Sequence, residues 1–398
     1  MSKEQDASEG PKELREFNDE DIEVLKFKAE SLEAELGKFP FTGACDSVSS
    51  MYHLDKDISR GHESLMLMIR DMSRIPKFRE EYIRRLYYHD LSGSFARVCP
   101  REVDHDFIIT QAREKVFQEA VEMPEFQAMK TAMLFMEDPK ILNPYGKRNE
   151  EKFSWLEMKK SLTADFLYFV DSADLLFDHE RVRKLMFLMD KLRIKYTMSD
   201  HEKDSGYLAR VLGKSKTSEK LREMNKEMVF KEKFKHVITT DPHAYMELKD
   251  AFLESDVSVW YLTELVGNKI FSLNSKQLKK AKMKAVFQSP TILPRKYDKI
   301  AKKILTNIGF NVVETVFSGD HVLSTSEGGG FSLNYKEDSL RIAAMRLQEA
   351  KDAGAEVIIT DSPHDFSLLK KARKKYEVKI KVHDLLSEVS QAVKWTSS

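Results

Sequence analysis

Apolar residues in the first part of the chain recur at alternating spacings of three and four, which is the repeat of an amphipathic helix. This spacing predicts one helix over residues 19–36, with Asn18 as its cap, and further helices in succession over residues 57–160. Residues 1–18 are polar and acidic and are predicted to form a mobile tail. The N-terminal part is therefore predicted to be all-α.

The pattern changes beyond this point, where short apolar runs alternate with helical segments. The clearest run, Val357–Thr360, is β-branched and apolar on both sides, as expected of a strand that helices cover on both faces. A segment rich in proline, glycine and polar residues over 139–151 places a domain boundary near residues 150–160. The rest is predicted to be α/β with parallel strands, which include the runs 166–170, 237–240, 285–287 and 357–360.

An internal repeat divides the α/β region into two halves. Pro242 in HVITTDPHAY lies 121 positions before Pro363 in EVIITDSPHDF, and a second apolar strand follows each, beginning at Val257 and Val378, again 121 positions apart. One offset shared by two separate segments predicts two similar halves that face each other. The predicted domains are a tail (1–18), a helical domain (19–155) and two α/β halves (160–275 and 276–398).

Polar residues follow the first repeated strand of each half. Asp241 and His243 stand there in the first half, and Ser362, His364 and Asp365 in the second. The carboxyl ends of parallel strands carry the sites of α/β folds, so these side chains are candidates for a metal or acid-base site. The alternative is that each Pro-His simply begins the helix that follows the strand.

The spacing of these segments resembles the cysteine-rich CCG domain of heterodisulfide reductases and of the related iron-sulfur subunits that oxidise glycerol 3-phosphate, glycolate and lactate. In that family each half carries one Cys, then a Cys-Cys-Gly and then a CPxC. The same frame is present here, with intervening stretches of 31 and 35 residues in the first half and 32 and 36 in the second. The resemblance implies that the residues at and beside the former ligand positions line one cleft, here called the CCG cleft. They are Ser172, Asp204, Ser205, Asp241, His243, Thr291, Ser324, Thr325, Ser362, His364 and Asp365.

The helical domain resembles the ferredoxin module that precedes the CCG domain in fused members of the family, where two CxxCxxCxxxCP runs hold clusters. FPFTGACDSVSS matches the first run through Cys45, and HDLSGSFARVCP matches the second through Cys99 and Pro100. The implied fold is an all-α ferredoxin-like domain followed by two pseudo-twofold-related α/β halves with parallel sheets. The remaining ligand positions hold Phe39, Thr42, Ser49, His89, Ser92 and Phe95.

The cysteine count limits what this resemblance implies for function. Two cubane clusters need about eight thiolates, whereas the chain has two cysteines, in different motifs. The expectation is a relative without clusters, cofactors or a catalytic site, which serves as a scaffold, assembly or regulatory subunit. Its expected partners are other protein subunits, for example of a redox or membrane-associated complex. Phe39, Phe95 and Tyr245 are expected to fill the vacated space.

Two further functions stay open. Oxygen and nitrogen ligands suited to zinc or manganese could form a replaced metal site, and the run Gly328–Gly330 could bind an anion or simply form a tight loop that needs positive φ. Basic segments over 275–285 and 370–381 could, if adjacent, bind nucleic acid or an acidic partner. The metal candidates are Asp204, Asp241, His243, His321, His364 and Asp365.

Charge and hydropathy add little to the choice among these functions. Lys plus Arg and Asp plus Glu both number 65, so no global field draws the chain to nucleic acid or an anionic membrane. The sequence contains no signal-peptide pattern and no apolar run of membrane-spanning length. The expected location is the cytoplasm.

Overall fold

The computed structural model describes residues 31–72, 79–137, 161, 163–172, 174, 179–273 and 277–394. The predicted tail (1–18) and the predicted linker (139–151) lie outside these residues. The predicted boundaries near 155–160 and 275–276 also lie outside them, so the domain limits stay predictions.

The N-terminal region is helical where it is described. The prediction of one continuous helix over 19–36 is wrong, because Ser31 has extended backbone and caps a helix that starts at Leu32. The predicted beginning of the helix, with Asn18 as its cap, lies outside the described residues. The Ser31 hydroxyl accepts a hydrogen bond from the Ala34 amide, which satisfies one of the free amides of the first turn. The helices are α1 Leu32–Lys38, α2 Ser50–Asp55, α3 His62–Met72, α4 Arg79–Tyr87, α5 Ser94–Val98, α6 His105–Ala120 and α7 Gln127–Glu137.

Two parallel four-stranded sheets follow, and they share one strand order, β2-β1-β3-β4 and β6-β5-β7-β8. The prediction of mixed α/β structure with parallel strands is confirmed. The pattern missed β2 and β6, because each has only two residues at the edge of its sheet. The strands are β1 Phe166–Phe169, β2 Tyr196–Thr197, β3 His236–Thr239, β4 Ser258–Tyr261, β5 Lys284–Phe287, β6 Asn311–Val312, β7 Val357–Thr360 and β8 Lys381–Asp384.

Helices connect the strands, as parallel pairing requires. Their apolar faces and the buried strands form a core that includes residues of both sheets. These helices are α8 His179–Lys191, α9 Tyr207–Val211, α10 Ser215–Lys231, α11 Pro242–Ala251, α12 Leu262–Phe271, α13 Arg295–Asn307, α14 Phe331–Asn334, α15 Lys336–Asp352, α16 Pro363–Lys375 and α17 Leu385–Ala392.

The repeat is real in its first segment but two residues out of register in its second. His236 and Val357 begin β3 and β7, 121 positions apart as predicted. Their paired neighbours are Ser258 in β4 and Lys381 in β8, which are 123 positions apart. The predicted equivalence of Val257 in the first half with Val378 in the second is therefore wrong. Helix α16 is longer than its counterpart α11, which accounts for the extra residues.

The two sheets meet at the carboxyl ends of their strands. The Tyr261 hydroxyl, at the end of β4, donates to the carbonyl of Asp361, which follows β7. Arg181 is fully buried at the same junction, pairs with Asp174, and donates to Asp384 in the other half over 2.7 Å. The strand ends of both halves therefore face one interior region, which contains the CCG cleft.

Buried Arg113 joins the helical domain to both halves. Its guanidinium donates to the carbonyls of Leu86 and His89 within the helical domain, to Val211 over 2.7 Å and to Gly329 over 2.8 Å. A glycine at 329 is required at this junction, because its φ is +60° and an added Cβ would lie 2.8 Å from the His89 carbonyl oxygen.

Candidate functional site

The strand-helix turns that follow β3 and β7 place two histidines opposite each other. Asp241 caps α11 by accepting from the amides of His243 and Ala244, and Ser362 caps α16 by accepting from the Asp365 amide. A proline occupies the first turn of each helix, where its missing N–H costs nothing. The capping interpretation is therefore confirmed. The same turns also bring the two imidazoles together.

The cleft contains a group of three donors, Asp241, His243 and His364, whose ligand atoms all lie within 4.8 Å of one another. Asp241 Oδ2 is 2.8 Å from His364 Nε2, and Asp241 Oδ1 is 3.7 Å from His243 Nδ1. The two imidazole centroids are 4.5 Å apart, with their planes at 84°. Asp241 and His243 are buried, whereas the His364 side chain is 20% exposed, so the group has one side toward solvent.

His243 is the least satisfied member of the group. Its ring stacks on Tyr207, with centroids 4.0 Å apart, yet neither ring nitrogen has a hydrogen-bond partner in the described structure. Burial lowers the pKa of His243 to about 3, so its imidazole is neutral. Burial opposes the charge of His364 as well, but Asp241 raises its pKa above the ordinary value. The charged pair is thus Asp241 with His364.

Other cleft residues of the first half hydrogen-bond to one another. The Ser172 hydroxyl donates to Asp204 Oδ2 over 2.7 Å, and the Ser205 hydroxyl donates to Asp171 over 3.0 Å. Glu202 accepts from the Asp171 amide. Burial raises the pKa of Asp171 and Asp204, and it raises that of Glu202 to about 8. Asp171 and Glu202 were not predicted, although Asp171 directly precedes Ser172 after β1.

The second half has an equivalent network. Thr325 donates to Asp365 and lies 3.0 Å from Glu327, which also accepts from Ser324 over 2.9 Å. Burial, followed by the charge of Glu327, raises the pKa of Asp365 well above its usual range. Glu327 is the member that the sequence interpretation missed. Its position directly before Gly328 in a buried loop was the available signal.

Two predicted residues lie apart from these networks. Thr291 is buried against the helical domain, where its carbonyl accepts from Arg97 over 3.1 Å and an added Cβ at Gly93 would lie 2.3 Å from it. His321 is exposed on a short 3-10 turn and belongs to neither group of candidate metal ligands in the described structure. His321 is therefore a wrong candidate for the cleft.

The triple glycine forms a tight loop against the helical domain. Gly329 and Gly330 have φ of +60° and +70°. A Cβ at Gly328 would lie 2.4 Å from the carbonyl oxygen of Asp90. These contacts support the tight-loop interpretation, since backbone packs where an anion would need open space.

The two cysteines lie in one region of the helical domain although they belong to different motifs. Both are buried, and the pKa of Cys45 is raised to about 12 by burial and then by nearby Cys99. In two-cluster ferredoxins the fourth cysteine of one run ligates the cluster of the other run. The four positions that correspond to the ligands of one cluster are thus Phe39, Thr42, Cys45 and Cys99.

Three buried histidines fill the adjoining interior as a directional hydrogen-bond chain. The Leu91 amide donates to His89 Nδ1, so the proton of His89 is on Nε2, which donates to His62 Nδ1 over 2.8 Å. His62 Nε2 then donates to His105 Nδ1 over 2.7 Å. Burial lowers the pKa of all three, that of His105 to about 4. Phe95 stacks on His62, with centroids 4.0 Å apart.

The two basic segments meet at the amino-terminal edge of the second sheet. Lys381 Nζ lies 3.6 Å from Met283 Sδ, and Lys284 and Lys381 stand in β5 and β8 on either side of β7. Some residues of the first segment lie outside the described ranges. The two basic segments are therefore adjacent, and nucleic-acid binding stays an open alternative.

Known proteins share the sequence pattern of this chain. A family model described as the CCG cysteine-rich domain matches residues 295–368. A probable membrane-anchored ferredoxin of Chromohalobacter salexigens is 24% identical over 294 residues, and the probable iron-sulfur-binding oxidoreductase FadF of Bacillus subtilis is 24% identical over 275. Residues 295–368 therefore match a CCG cysteine-rich domain, and the chain is similar to proteins of the heterodisulfide reductase-like iron-sulfur family.

The match to these family members is partial. The alignments cover 68% and 63% of this chain but only 42% and 39% of the relatives, so the chain spans about two fifths of their length. A crystal structure of a hypothetical protein from Helicobacter pylori is similar in fold, with a TM-score of 0.56 at 13% identity, over 94% of this chain and 74% of that one. Among the described residues, none of the helices combines the length and apolar character needed to cross a membrane.

The donors of this chain do not fit the iron-sulfur clusters that its similarity to these proteins implies. Cubane clusters are held by thiolates, whereas the CCG cleft offers hydroxyl, carboxylate and imidazole groups, which suit harder or borderline ions. The helical domain supplies the thiols of Cys45 and Cys99 to a position set that otherwise holds Phe39 and Thr42, which is short of the four thiolates that one cluster requires.

Proposed function

We propose that this chain is a heterodisulfide reductase-like protein that has lost its iron-sulfur clusters and acts as a non-catalytic scaffold, assembly or regulatory subunit of a protein complex. The observation that carries the proposal is the set of direct contacts between former ligand positions. Ser172 with Asp204, and Thr325 with Asp365, hydrogen-bond to each other. Side chains that already satisfy one another leave no ligand set for an inorganic cluster.

The filling of the helical domain supports the same proposal. Phe39 and Phe95, at two ligand positions, are 6% and 1% exposed. Tyr245, beside the cleft, is 2% exposed and hydrogen-bonds to Tyr297 over 2.8 Å. A cluster cross-links the loops that bind it, so its loss must be offset by other contacts. Buried aromatic rings and the histidine chain supply such contacts.

The domain arrangement belongs to this proposal. It comprises a ferredoxin-like helical domain over 19–155 and two CCG-type halves over 160–275 and 276–398, related by a pseudo-twofold axis. The equal strand order of the two sheets and the apposed strand ends support it. In the family these modules dock onto other subunits, so retained docking surfaces would explain why a cluster-free copy persists.

The size of the native assembly tests the scaffold role. The chain, tagged at its natural expression level, is run on a native gel before and after nuclease treatment. We expect a discrete nuclease-resistant species well above the 46.2 kDa of the chain. A species that nuclease reduces to the chain alone would favour the nucleic-acid alternative, and migration as the free chain throughout would contradict the proposal.

A replaced metal site is the second candidate, because buried His243 has two unpartnered nitrogens beside Asp241 and His364.

A further inference from the structure

His243 is the observation from which a ligand site can be argued. Buried polar groups are almost always hydrogen-bonded, and an imidazole without partners loses the solvation of both nitrogens. His243 is 2% exposed and has no partner for either nitrogen within the described chain. Its stacking on Tyr207 fixes the ring plane but satisfies neither nitrogen. The position is thus costly unless something binds there.

We infer that Asp241, His243 and His364 form a binding site for one divalent transition metal ion, zinc foremost, that links the two α/β halves. Asp241 and His243 come from the first half and His364 from the second. This inference rests on the proposed absence of a cluster from the CCG cleft. It goes beyond that proposal by assigning the cleft an ion and a cross-linking role.

The distances within the group suit a tetrahedral ion. Zinc binds nitrogen and oxygen at about 2.0–2.2 Å, which puts its ligand atoms roughly 3.3 Å apart. The separations of 2.8 Å between Asp241 Oδ2 and His364 Nε2, and of 3.7 Å between Asp241 Oδ1 and His243 Nδ1, lie on either side of that value. These two distances start from different oxygens of Asp241, and the three ligand atoms lie within 4.8 Å of one another, so the side chains must approach by up to about 1.5 Å to bind one ion. The ion replaces the proton between Asp241 and His364, which is released on binding.

The charges around the group are of both signs. Asp204 and Glu327 interact electrostatically with His364, and Asp204 also interacts with Asp241, whereas Arg210 opposes positive charge on His243. Two imidazoles and one carboxylate form a borderline ligand set, for which zinc outcompetes manganese and ferrous iron. Three protein ligands leave the fourth position of a tetrahedral ion to water, on the exposed side of His364.

The second group of candidate ligands, Cys45, His62 and His105, fits an ion less well. The Leu91 amide fixes the direction of the histidine chain, which places a proton on His62 Nε2. An ion bound to His62 Nε2 would require His62 to become an imidazolate, or His89 to lose its hydrogen bond to His62 Nδ1. No such proton blocks His243.

Zinc titration of the full chain tests the inference. After dialysis against a chelator, zinc is added in competition with a chromophoric indicator, and bound metal is counted by mass spectrometry. We expect one zinc ion per chain and a higher melting temperature. His243→Gln and His364→Gln should each weaken binding about 100-fold or more, whereas His201→Gln, at a residue with a 70% exposed side chain, should leave it unchanged.

Circular dichroism identifies variants that fail to fold, and the two ligand variants lie in different halves, so one folded variant suffices. Folded wild-type protein that binds no zinc, or a folded ligand variant that binds it as tightly as wild type, would overturn the inference. Iron together with acid-labile sulfide in the purified chain would instead contradict the proposed loss of clusters, so the two failures are distinguishable.

Discussion

His243 and His364 stand at the same place in two repeated strand-turn-helix segments, and their ring centroids are 4.5 Å apart although the residues are 121 positions apart in the sequence. Each follows the proline that begins its helix. The opposed strand ends therefore bring ligand positions of both halves into one cleft, as the spacing shared with the CCG domain implies.

Restoring thiols should restore a cluster in the helical domain. In the double variant Phe39→Cys with Thr42→Cys, the new thiols join Cys45 and Cys99 to complete one set of four. We expect reconstitution with iron and sulfide to load about four irons per chain in this variant and none in wild type. The matched control adds Cys99→Ser, which should abolish loading. A folded double variant that takes up no iron would show that missing thiols are not what excludes the cluster.

Arg113 should contribute strongly to stability, because its guanidinium bonds carbonyls of the helical domain and of both α/β halves. Each buried carbonyl left unpaired costs about 1–3 kcal/mol, so Arg113→Met should lower the free energy of unfolding by more than about 3 kcal/mol. Arg70→Met, at a side chain that is 44% exposed, is the control and should change it little. Urea unfolding measures both. Equal effects would refute the junction role.

Asp90 should make stability depend on pH. It is buried, and desolvation, followed by the charge of Glu327, raises its pKa to about 7. The folded state therefore holds this proton more tightly than the unfolded state, so stability falls as pH rises from about 4 to about 7. At pH 8, Asp90→Asn should be more stable than wild type by up to about 4 kcal/mol, with little difference near pH 4.

Urea unfolding at both pH values measures the effect, with Asp352→Asn at an exposed position as the control. Glu202 and Asp361 have raised pKa values as well, so the variant keeps some of the wild-type slope. A slope identical to wild type would show that Asp90 does not hold a proton in the folded state.

The sequence predicted the long, strongly patterned elements and the frame of the site. The four central strands have apolar runs and were found, while the two-residue edge strands β2 and β6 carry no period to detect. The offset of 121 positions between equivalent residues of the two halves holds for β3 and β7 but not for β4 and β8. A repeat in a single sequence does not show where a helix has grown.

The components of the site that were missed depend on three-dimensional packing. Glu202 and Glu327 are buried in the cleft. Glutamate is rarely buried in proteins, so the sequence alone did not indicate these two residues, and only their tertiary contacts explain their burial. The chain of His62, His89 and His105 joins residues from three separate segments. Cys45 and Cys99 are near enough for Cys99 to raise the pKa of Cys45, because the two motifs fold against each other, which their separate positions in the sequence do not show.

Iron and acid-labile sulfide, determined together with the visible absorption spectrum of the chain purified anaerobically from its native host, test the loss of clusters most directly. We expect neither element in stoichiometric amount and no iron-sulfur absorption bands. About four irons and four sulfides per chain, with those bands present, would contradict the loss of clusters.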